Sequence, residues 1–299
     1  MSGEPVAERR AERGAGSVLI TGATDGLGKA AAVLLAERGY RVFAAGRSPE
    51  KRAQLDILAR EKKLPLESVE LDVCDDASVQ AAVRLVLAKA GAVDVLINNA
   101  GIGYMGTIED LQLADWRRQF ETNVFGVLRV TQAALPSMRE RKRGRIVMMS
   151  SVAGLVTAPA QGAYSSSKHA LEGLTNALRL EMFPFGIDVI LIEPGYIATG
   201  MQQTAADLTS GYKEKFKTSP YARLYELFEA SAKSARARSK TTPEDCARVI
   251  LRAIEAPRPK PRYGVTSLAT VVKWGKRLLT DSAADGLIRR RLGIVRESH

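Results

Sequence analysis

Short apolar runs and amphipathic stretches alternate along most of this chain. The apolar runs predict strands, and stretches with apolar residues every three or four positions predict helices. The predicted strands are residues 18–20, 41–45, 69–73, 93–97, 145–149, 188–192 and 263–265. The predicted helices are residues 26–39, 49–63, 77–90, 113–142 and 163–182, together with one that opens at Thr242.

Strands separated by helices of this length are typical of right-handed crossovers and a parallel sheet. The pattern therefore predicts an α/β fold: a Rossmann-type, doubly wound parallel sheet of about seven strands covered by helices on both faces. At 299 residues without a long linker, the chain is expected to form a single domain over residues 17–265.

Three segments depart from this rhythm. Residues 1–16 are rich in charge and glycine, which predicts a disordered N-terminal tail. Residues 200–240 contain no strand and carry aromatic residues at helical spacing, which predicts a helical lid after the sixth strand; an ordinary surface helix pair has the same pattern. Residues 266–299 are predicted to form a basic helical C-terminal extension.

The charge distribution argues against a nucleic-acid partner. The net charge is +11, but residues 211–240 contribute +5 and residues 257–299 contribute +7, so the rest of the chain is near neutral. Neither stretch carries a nucleic-acid reading motif or stacking aromatic groups in a basic stripe. A solvated basic surface remains one interpretation, and attraction to acidic substrates or anionic lipid headgroups is the other.

The cysteine and histidine content excludes further classes. Cys74 and Cys246 have neither metal-like nor Cys-x-x-Cys spacing, so we expect no metal site and a reducing, cytoplasmic compartment. No apolar run approaches the roughly 20 residues of a membrane-spanning helix, although attachment to a membrane surface stays open. The only histidines, His169 and His299, offer no plausible Ser-His-Asp hydrolase arrangement.

A glycine-rich turn joins the first predicted strand to the first helix. Gly22 permits a tight exit from the strand, Gly26 allows backbone amides to approach a pyrophosphate, and Gly28 allows the helix to pack close to the sheet. The helix N-terminus would add unpaired N–H groups and a partial positive charge. This turn predicts a dinucleotide site.

The end of the second predicted strand bears on the choice of cofactor. An NAD site usually places an acidic residue there, whereas a 2′-phosphate needs positive charge. This chain has Arg47 and Ser48, which can pair with a phosphate, so NADP is favoured and NAD stays open.

Ser151, Tyr164 and Lys168 form a candidate proton-transfer group. Tyr164 and Lys168 are one helical turn apart and would emerge on the same face. An ammonium about 4 Å from the phenol would lower its pKa by at most about three units at an effective dielectric near 20. Ser151, after the fifth strand, would hydrogen-bond the substrate oxygen.

Several motifs in order make the chain resemble a short-chain dehydrogenase/reductase of the single-domain type from Ser17 to Gly264. The matching segments are TGxxxGxG from Thr21, Leu71-Asp72-Val73, Asn98-Asn99-Ala100-Gly101, Asn123 in Asn-Val-Phe-Gly, Ser151, Tyr164-x3-Lys168 and Pro194-Gly195-Tyr196-Ile197-x-Thr199. The resemblance implies that Tyr164 is the general acid/base, that Ser151 polarises the carbonyl or alcohol, and that Lys168 binds the nicotinamide ribose.

The resemblance also assigns the remaining site residues. Asn123 would hold a water that relays protons, Asp72 would meet the adenine, and Ile197 with Thr199 would meet the carboxamide. The full set expected to bind the cofactor is Thr21, Gly22, Thr24, Asp25, Gly26, Leu27, Gly28, Arg47, Ser48, Asp72, Val73, Asn99, Ala100, Gly101, Tyr164, Lys168, Pro194, Gly195, Ile197 and Thr199.

The combined interpretation is an NADP(H)-dependent oxidoreductase that interconverts an alcohol and a ketone or aldehyde. Apolar and aromatic residues in the lid and neighbouring loops favour a small hydrophobic substrate of the steroid, retinoid or fatty-acyl type. The alternative is a nucleotide-sensing protein that keeps the cradle without turnover. For the C-terminal extension, peripheral membrane contact and packing against a partner subunit both stay open, and the resemblance implies a homodimer or homotetramer.

Overall fold

The computed structural model describes residues 16–295, apart from the side chains of Lys273, Lys276 and Arg277. Almost all of the predicted N-terminal tail, and the last four residues of the C-terminal extension, lie outside the described residues.

Within that range, seven parallel strands form one sheet in the order β3-β2-β1-β4-β5-β6-β7. The strands are β1 (Ser17–Ile20), β2 (Arg41–Gly46), β3 (Leu66–Glu70), β4 (Val95–Asn98), β5 (Gly144–Met149), β6 (Ile187–Glu193) and β7 (Arg262–Gly264). The prediction of a doubly wound parallel sheet of about seven strands is confirmed.

Helices follow or precede each strand. They are α1 (Gly26–Glu37), α2 (Pro49–Glu61), α3 (Asp76–Ala90), α4 (Leu113–Phe120), α5 (Gly126–Glu140), α6 (Gly162–Met182), α7 (Gly200–Leu208), α8 (Lys213–Thr218), α9 (Ala222–Arg238), α10 (Pro243–Glu255), α11 (Ser267–Leu278) and α12 (Asp281–Leu292). Helices α7 to α9 occupy the region predicted as a lid, and α11 and α12 occupy the predicted C-terminal extension.

The core lies on both faces of the sheet. Helices α1, α2 and α10 pack on one face with Leu35, Leu55 and Ile250, all nearly inaccessible to solvent. Helices α3, α5 and α6 cover the other face with side chains that include Val86 and Met138. Because consecutive residues of a strand point to opposite faces, the continuous apolar runs of β1 and β4 supply both layers.

Two predicted elements differ from the observed ones. The third strand was predicted at 69–73 but runs from Leu66 to Glu70, because it pairs with β2 from Val42 to Gly46 and ends where β2 ends. Residues 71–73 therefore form a loop beyond the sheet edge. The helix predicted at 113–142 is interrupted by a π-helical turn at Glu121–Phe125, a feature that often marks functional sites.

No helix within residues 16–295 is long and apolar enough to cross a membrane. The same described residues contain no cluster of three or more metal-ligating side chains. Both cysteines are free thiols.

Candidate active site

A large cavity of about 1870 Å³ opens at the carboxyl edge of the sheet. It lies beside β1 and β4, where the strand order changes direction, which is the place where α/β sheets bind their ligands. The loops that follow β1, β2, β4, β5 and β6 all contribute to its walls.

The glycine-rich turn after β1 forms one end of this cavity. Gly22 has φ +61°, and a Cβ there would lie 2.8 Å from the Cα of Ala100. Gly26 has φ +50°, and the Asp25 side chain accepts a hydrogen bond of 2.7 Å from its amide at the start of α1. Only glycine accommodates both the backbone conformation and the close approach of the β4 loop at Gly22.

Asn99 holds this turn against the end of β4. Its side-chain amide donates hydrogen bonds of 2.9 Å to the carbonyl oxygens of Thr21 and Gly22. The Thr21 hydroxyl in turn accepts hydrogen bonds of 3.0 Å from the backbone amides of Asn99 and Ala100. A Cβ on Gly28 would overlap the Asn99 amide and the Gly22 carbonyl oxygen, so Gly28 is required for this close packing.

Charged residues line the same end of the cavity. Arg47 is 61% exposed, and its guanidinium lies 3.6 Å from the Asp72 carboxylate. Ser48 caps α2 by accepting a hydrogen bond from the Lys51 amide. Lys51 forms a 2.5 Å ion pair with Asp25, and the hydrogen bond from Lys51 holds the pKa of the Asp25 carboxyl below its usual value although partial burial opposes the shift.

The candidate catalytic side chains form the middle of the cavity wall. Helix α6 carries Tyr164 and Lys168, and the Lys168 ammonium lies 5.8 Å from the centre of the Tyr164 ring. The ammonium donates a 2.7 Å hydrogen bond to the carbonyl oxygen of Met149, the last residue of β5. Ser151 lies two residues after the end of β5, and its hydroxyl interacts with the Tyr164 phenol. The structure thus brings the three predicted side chains together.

The protonation of these groups differs from the sequence-based expectation. Burial raises the pKa of the Tyr164 phenol, and the hydrogen bond from Ser151 opposes that shift only in part. Burial also lowers the pKa of Lys168 to about 8, while the charge of Glu172 acts in the opposite direction. Desolvation therefore raises the pKa of the Tyr164 phenol, whereas the spacing to Lys168 predicted a lowered pKa.

Asn123 lies behind the cavity wall, in the π-helical turn. Its side chain accepts a 2.9 Å hydrogen bond from the Ile102 amide and donates one of 2.9 Å to the Ile102 carbonyl oxygen. It also donates to the Ser167 hydroxyl at 3.1 Å. These bonds fix the loop after β4 against α6, next to Lys168.

Most of the predicted site residues line the cavity. Those that do are Gly22, Thr24, Asp25, Gly26, Leu27, Arg47, Ser48, Asp72, Val73, Asn99, Ala100, Gly101, Ser151, Tyr164, Lys168, Pro194, Gly195, Ile197 and Thr199. Thr21, Gly28 and Asn123 do not line it; they support the wall from behind through the contacts described above.

The region predicted as a lid covers the far end of the cavity. Phe216 stacks on Tyr225 with ring centres 4.1 Å apart, and both line the cavity. A buried carboxylate, Asp110, ties this region to the loop after β4. It accepts hydrogen bonds from the Tyr225 hydroxyl at 2.7 Å and the Ser219 hydroxyl at 2.8 Å.

Two parts of the site were missed by sequence reasoning. Helices α11 and α12 close the same cavity with Val272 and Ile288, and Leu279 between them also lines it. Sequence reasoning missed this because the periodicity of an amphipathic helix does not show what its apolar face contacts. Glu172, one turn beyond Lys168, is buried next to the catalytic group. Its helical spacing from Lys168 was a visible signal, although a Glu four residues after a Lys is common on helix surfaces.

Sequence comparison finds a family model and several oxidoreductases that are similar to this chain. A family model described as short chain dehydrogenase matches residues 17–209. The chain is 45% identical to the uncharacterized oxidoreductase YusZ of Bacillus subtilis over 62% of its length, covering 67% of that protein. It is 36% identical to retinol dehydrogenase 8 of Bos taurus, covering 82% of this chain and 80% of that one. It is also 36% identical to 17-beta-hydroxysteroid dehydrogenase type 1 of Homo sapiens, with 83% and 77% covered.

Solved structures give the same result. A short chain dehydrogenase/reductase from Burkholderia phymatum in complex with NAD matches with a TM-score of 0.74 and 27% identity, covering 86% of this chain and 91% of that one. Actinorhodin polyketide ketoreductase with NADPH matches with a TM-score of 0.72 and 32% identity, covering 83% and 95%.

Proposed function

The chain belongs to the short chain dehydrogenase family, and on that premise we propose that it is an NADP(H)-dependent oxidoreductase that interconverts a hydrophobic alcohol and its ketone or aldehyde. The observation that carries the proposal is the placement of Ser151, Tyr164 and Lys168 on one wall of the cavity that also contains the glycine-rich turn. A dinucleotide and a carbonyl compound could therefore meet at one point.

The residues present fit a nicotinamide dinucleotide. The turn around Gly22 and Gly26 leaves room at the N-terminus of α1 that side chains would fill, and the helix N-terminus favours phosphate. When bound, the cofactor supplies or accepts the hydride. Lys168 would hold its ribose, and Ile197 and Thr199 would lie near its carboxamide, because they border the cavity after β6.

The protein's own contribution is orientation and a proton. In the reductive direction, the Tyr164 hydroxyl would donate its proton to the substrate oxygen, and the Ser151 hydroxyl would hydrogen-bond that same oxygen. Lys168 would stabilise the phenolate that remains, because its ammonium lies on the same face of α6. The cavity wall of Asn99, Ala100 and Gly101 would keep the reacting groups aligned.

The preference for NADP(H) rests on Arg47 and Ser48. Arg47 is exposed at the cavity end where the adenosine ribose would lie, and Lys51 adds a second positive charge nearby. Asp72 forms an ion pair with Arg47, so the acid that could hold a ribose hydroxyl is engaged by the arginine. The exposed guanidinium of Arg47 therefore supports a 2′-phosphate over the free ribose hydroxyl of NAD.

The proposed substrate is hydrophobic and of steroid, retinoid or fatty-acyl size. The cavity is larger than the 300–1000 Å³ that is typical of small-molecule sites, so room remains beside a dinucleotide. Its far end is lined by apolar side chains from α8, α9, α11 and α12, among them Phe216, Phe228, Val272 and Ile288. The names of two similar proteins, a retinol dehydrogenase and a 17-beta-hydroxysteroid dehydrogenase, agree with this class.

The test is a panel of carbonyl compounds incubated with the full chain and NADPH, followed by cofactor absorbance. The proposal predicts turnover of steroid ketones, retinal or 3-ketoacyl esters, and weaker turnover of short-chain ketones. NADPH binding without turnover on the whole panel would contradict it and favour a nucleotide-sensing protein.

We further propose that the C-terminal extension contacts the surface of an anionic membrane from the cytosolic side. Val271, Trp274 and Leu278 lie on one face of α11 and are each more than half exposed, and the segment carries excess Lys and Arg in its sequence. Liposome sedimentation of the full chain, with and without anionic lipid, tests this proposal. Equal pelleting, together with a dimer or tetramer that buries α11, would favour the subunit interface instead.

A further inference from the structure

Glu172 is a buried carboxylate that the proposed reaction does not use. It lies on α6 one turn after Lys168, and only 7% of its surface is exposed. Carboxylates are rarely buried unless they are paired with cations and hydrogen-bond donors. The burial of Glu172 beside the catalytic lysine therefore indicates a specific role for this carboxylate.

The contacts of Glu172 fix its carboxylate in one place. One oxygen accepts a hydrogen bond from the Ser150 hydroxyl, the residue between β5 and Ser151. The other accepts from the Arg262 guanidinium at the start of β7. Arg262 also donates to Glu193 at 2.6 Å, at the end of β6. The network thus joins α6 to three consecutive strands of the sheet.

In this network one guanidinium serves two carboxylates. Arg262 is shared between two carboxylates, Glu172 and Glu193, and within the described part of the chain the second oxygen of Glu193 has no hydrogen-bond partner. Arg179 lies near enough to feel the charges of both Glu172 and Arg262, but its guanidinium bonds to Asn176 and the Val189 carbonyl oxygen.

The surroundings of Lys168 leave few other sources of charge. From its own helix, the titratable groups that act on it are Tyr164 and Glu172. From β5 it meets the neutral carbonyl oxygen of Met149, and from the loop after β4 it meets the backbone near Gly101.

We propose that Glu172 is a positioning residue that acts through Lys168: its carboxylate, fixed one helical turn away in the same buried region, keeps the lysine charged at neutral pH. This inference rests on the proposed function, in which the charged lysine serves the cofactor ribose and the phenol. Without Glu172, burial alone would act on Lys168, and its pKa would fall further below the ordinary lysine value.

The test compares Glu172→Gln with the wild-type chain over pH 6 to 10, roughly the range that brackets a perturbed lysine. The readouts are NADPH affinity, followed by cofactor fluorescence, and kcat/KM with any carbonyl substrate found. We expect the alkaline limb of both profiles to move to lower pH by about one to two units, since a charge one helical turn away acts at that scale. Glu172→Asp should return the limb toward the wild-type position.

Glu181→Gln is the matched control, because Glu181 is an exposed residue of the same helix. Its profile should overlay that of the wild type. If the alkaline limb of the Glu172→Gln profiles stays at the wild-type pH, the inference is overturned. Glu172 would then be a purely structural residue, even if the variant has a lower melting temperature.

A second variant covers the case in which Glu172→Gln does not fold. Arg262→Gln removes the cation that competes for the Glu172 carboxylate, so the alkaline limb should move to higher pH; an unchanged or lower limb would overturn the inference. Failure of the proposed function is distinguishable, because it appears as absent turnover in the wild type. The fluorescence profiles of NADPH binding test the role of Glu172 in either case.

Discussion

The Lys168 ammonium lies 5.8 Å from the centre of the Tyr164 ring and donates a hydrogen bond to the Met149 carbonyl oxygen. The lysine is therefore anchored to the sheet before any ligand arrives, while the phenol is half-buried in the cavity wall beside Ser151. Both groups are desolvated, which disfavours their charged forms and makes their protonation responsive to what enters the cavity.

Removing the phenol hydroxyl should slow the reaction strongly but leave cofactor binding intact. Tyr164→Phe is expected to lower kcat/KM by at least about 10²-fold, because a positioned proton donor contributes roughly 10² to 10⁴. NADPH affinity, measured by fluorescence, should change little. Tyr221→Phe is the matched control, since the Tyr221 hydroxyl donates to Glu109 in the helical region over the cavity. A Tyr164→Phe protein with wild-type turnover would refute the role of the phenol.

The buried ammonium of Lys168 should cost stability below pH 8. Its folded pKa of about 8 lies below the ordinary 10.5, so the unfolded chain binds more protons between these values and stability rises with pH there. Lys168→Met should therefore raise the free energy of unfolding at pH 7 by at most about 3 kcal/mol while losing turnover.

The gain from Lys168→Met should shrink as pH rises from 8 to 10.5. Thermal unfolding at about pH 7 and about pH 10 measures it. A difference from wild type that is the same at both pH values would contradict the account of a desolvated lysine.

The tight packing of the glycine turn makes a sharp prediction about Gly28. A methyl group there would overlap the Gly22 carbonyl oxygen and the Asn99 amide, so Gly28→Ala should distort the turn and weaken NADPH binding at least about tenfold. In Gly173→Ala, the added methyl meets nothing within 4 Å, and this helix substitution should stabilise the protein by about 0.5–1 kcal/mol. Calorimetric titration with NADPH distinguishes the two. Equal affinities would mean that the turn does not hold the cofactor.

Arg47 should control the choice between the two cofactors. Arg47→Ala removes the exposed cation next to Asp72, so kcat/KM with NADPH should fall by about 10- to 100-fold while that with NADH changes little. Arg38→Ala, an exposed arginine at the end of α1, serves as the control. A wild-type preference for NADH would refute the role given to Arg47.

The buried Asp110 should hold the helices over the cavity. Asp110→Asn weakens its bonds with Tyr225 and Ser219, so we expect a loss of about 1–3 kcal/mol in stability and a higher KM for bulky substrates, with kcat affected less. Glu61→Gln, at an exposed carboxylate on α2, is the control. An unchanged KM for bulky substrates would indicate that these helices do not shape the substrate site.

The sequence predicted the sheet and most of the cavity because both depend on local patterns. Apolar runs determine which segments become β1 to β7, and helical spacing determines the helices between them. The glycine turn directly follows β1 in sequence, so its place at the end of that strand does not depend on distant contacts. Tyr164 and Lys168 share a face of α6 for the same local reason.

What the sequence did not reveal depends on distant contacts. The start of β3 is set by pairing with β2, and Glu172 meets Arg262 from a strand 90 residues away. The path of α11 and α12 along the cavity likewise depends on how the chain returns to the sheet. Desolvation of Tyr164 is a further example, because burial is decided by the whole fold rather than by the spacing to Lys168.

The most direct test of the central claim is transfer of labelled hydrogen. The full chain is incubated with a hydrophobic ketone and NADPH deuterated on the transferring face of its nicotinamide ring, and the product is analysed by mass spectrometry and NMR. The account predicts an alcohol with one deuterium on the carbinol carbon, formed by the wild type and absent with Tyr164→Phe. Deuterium that never reaches that carbon, with either nicotinamide cofactor and across the panel of carbonyl compounds, would contradict it.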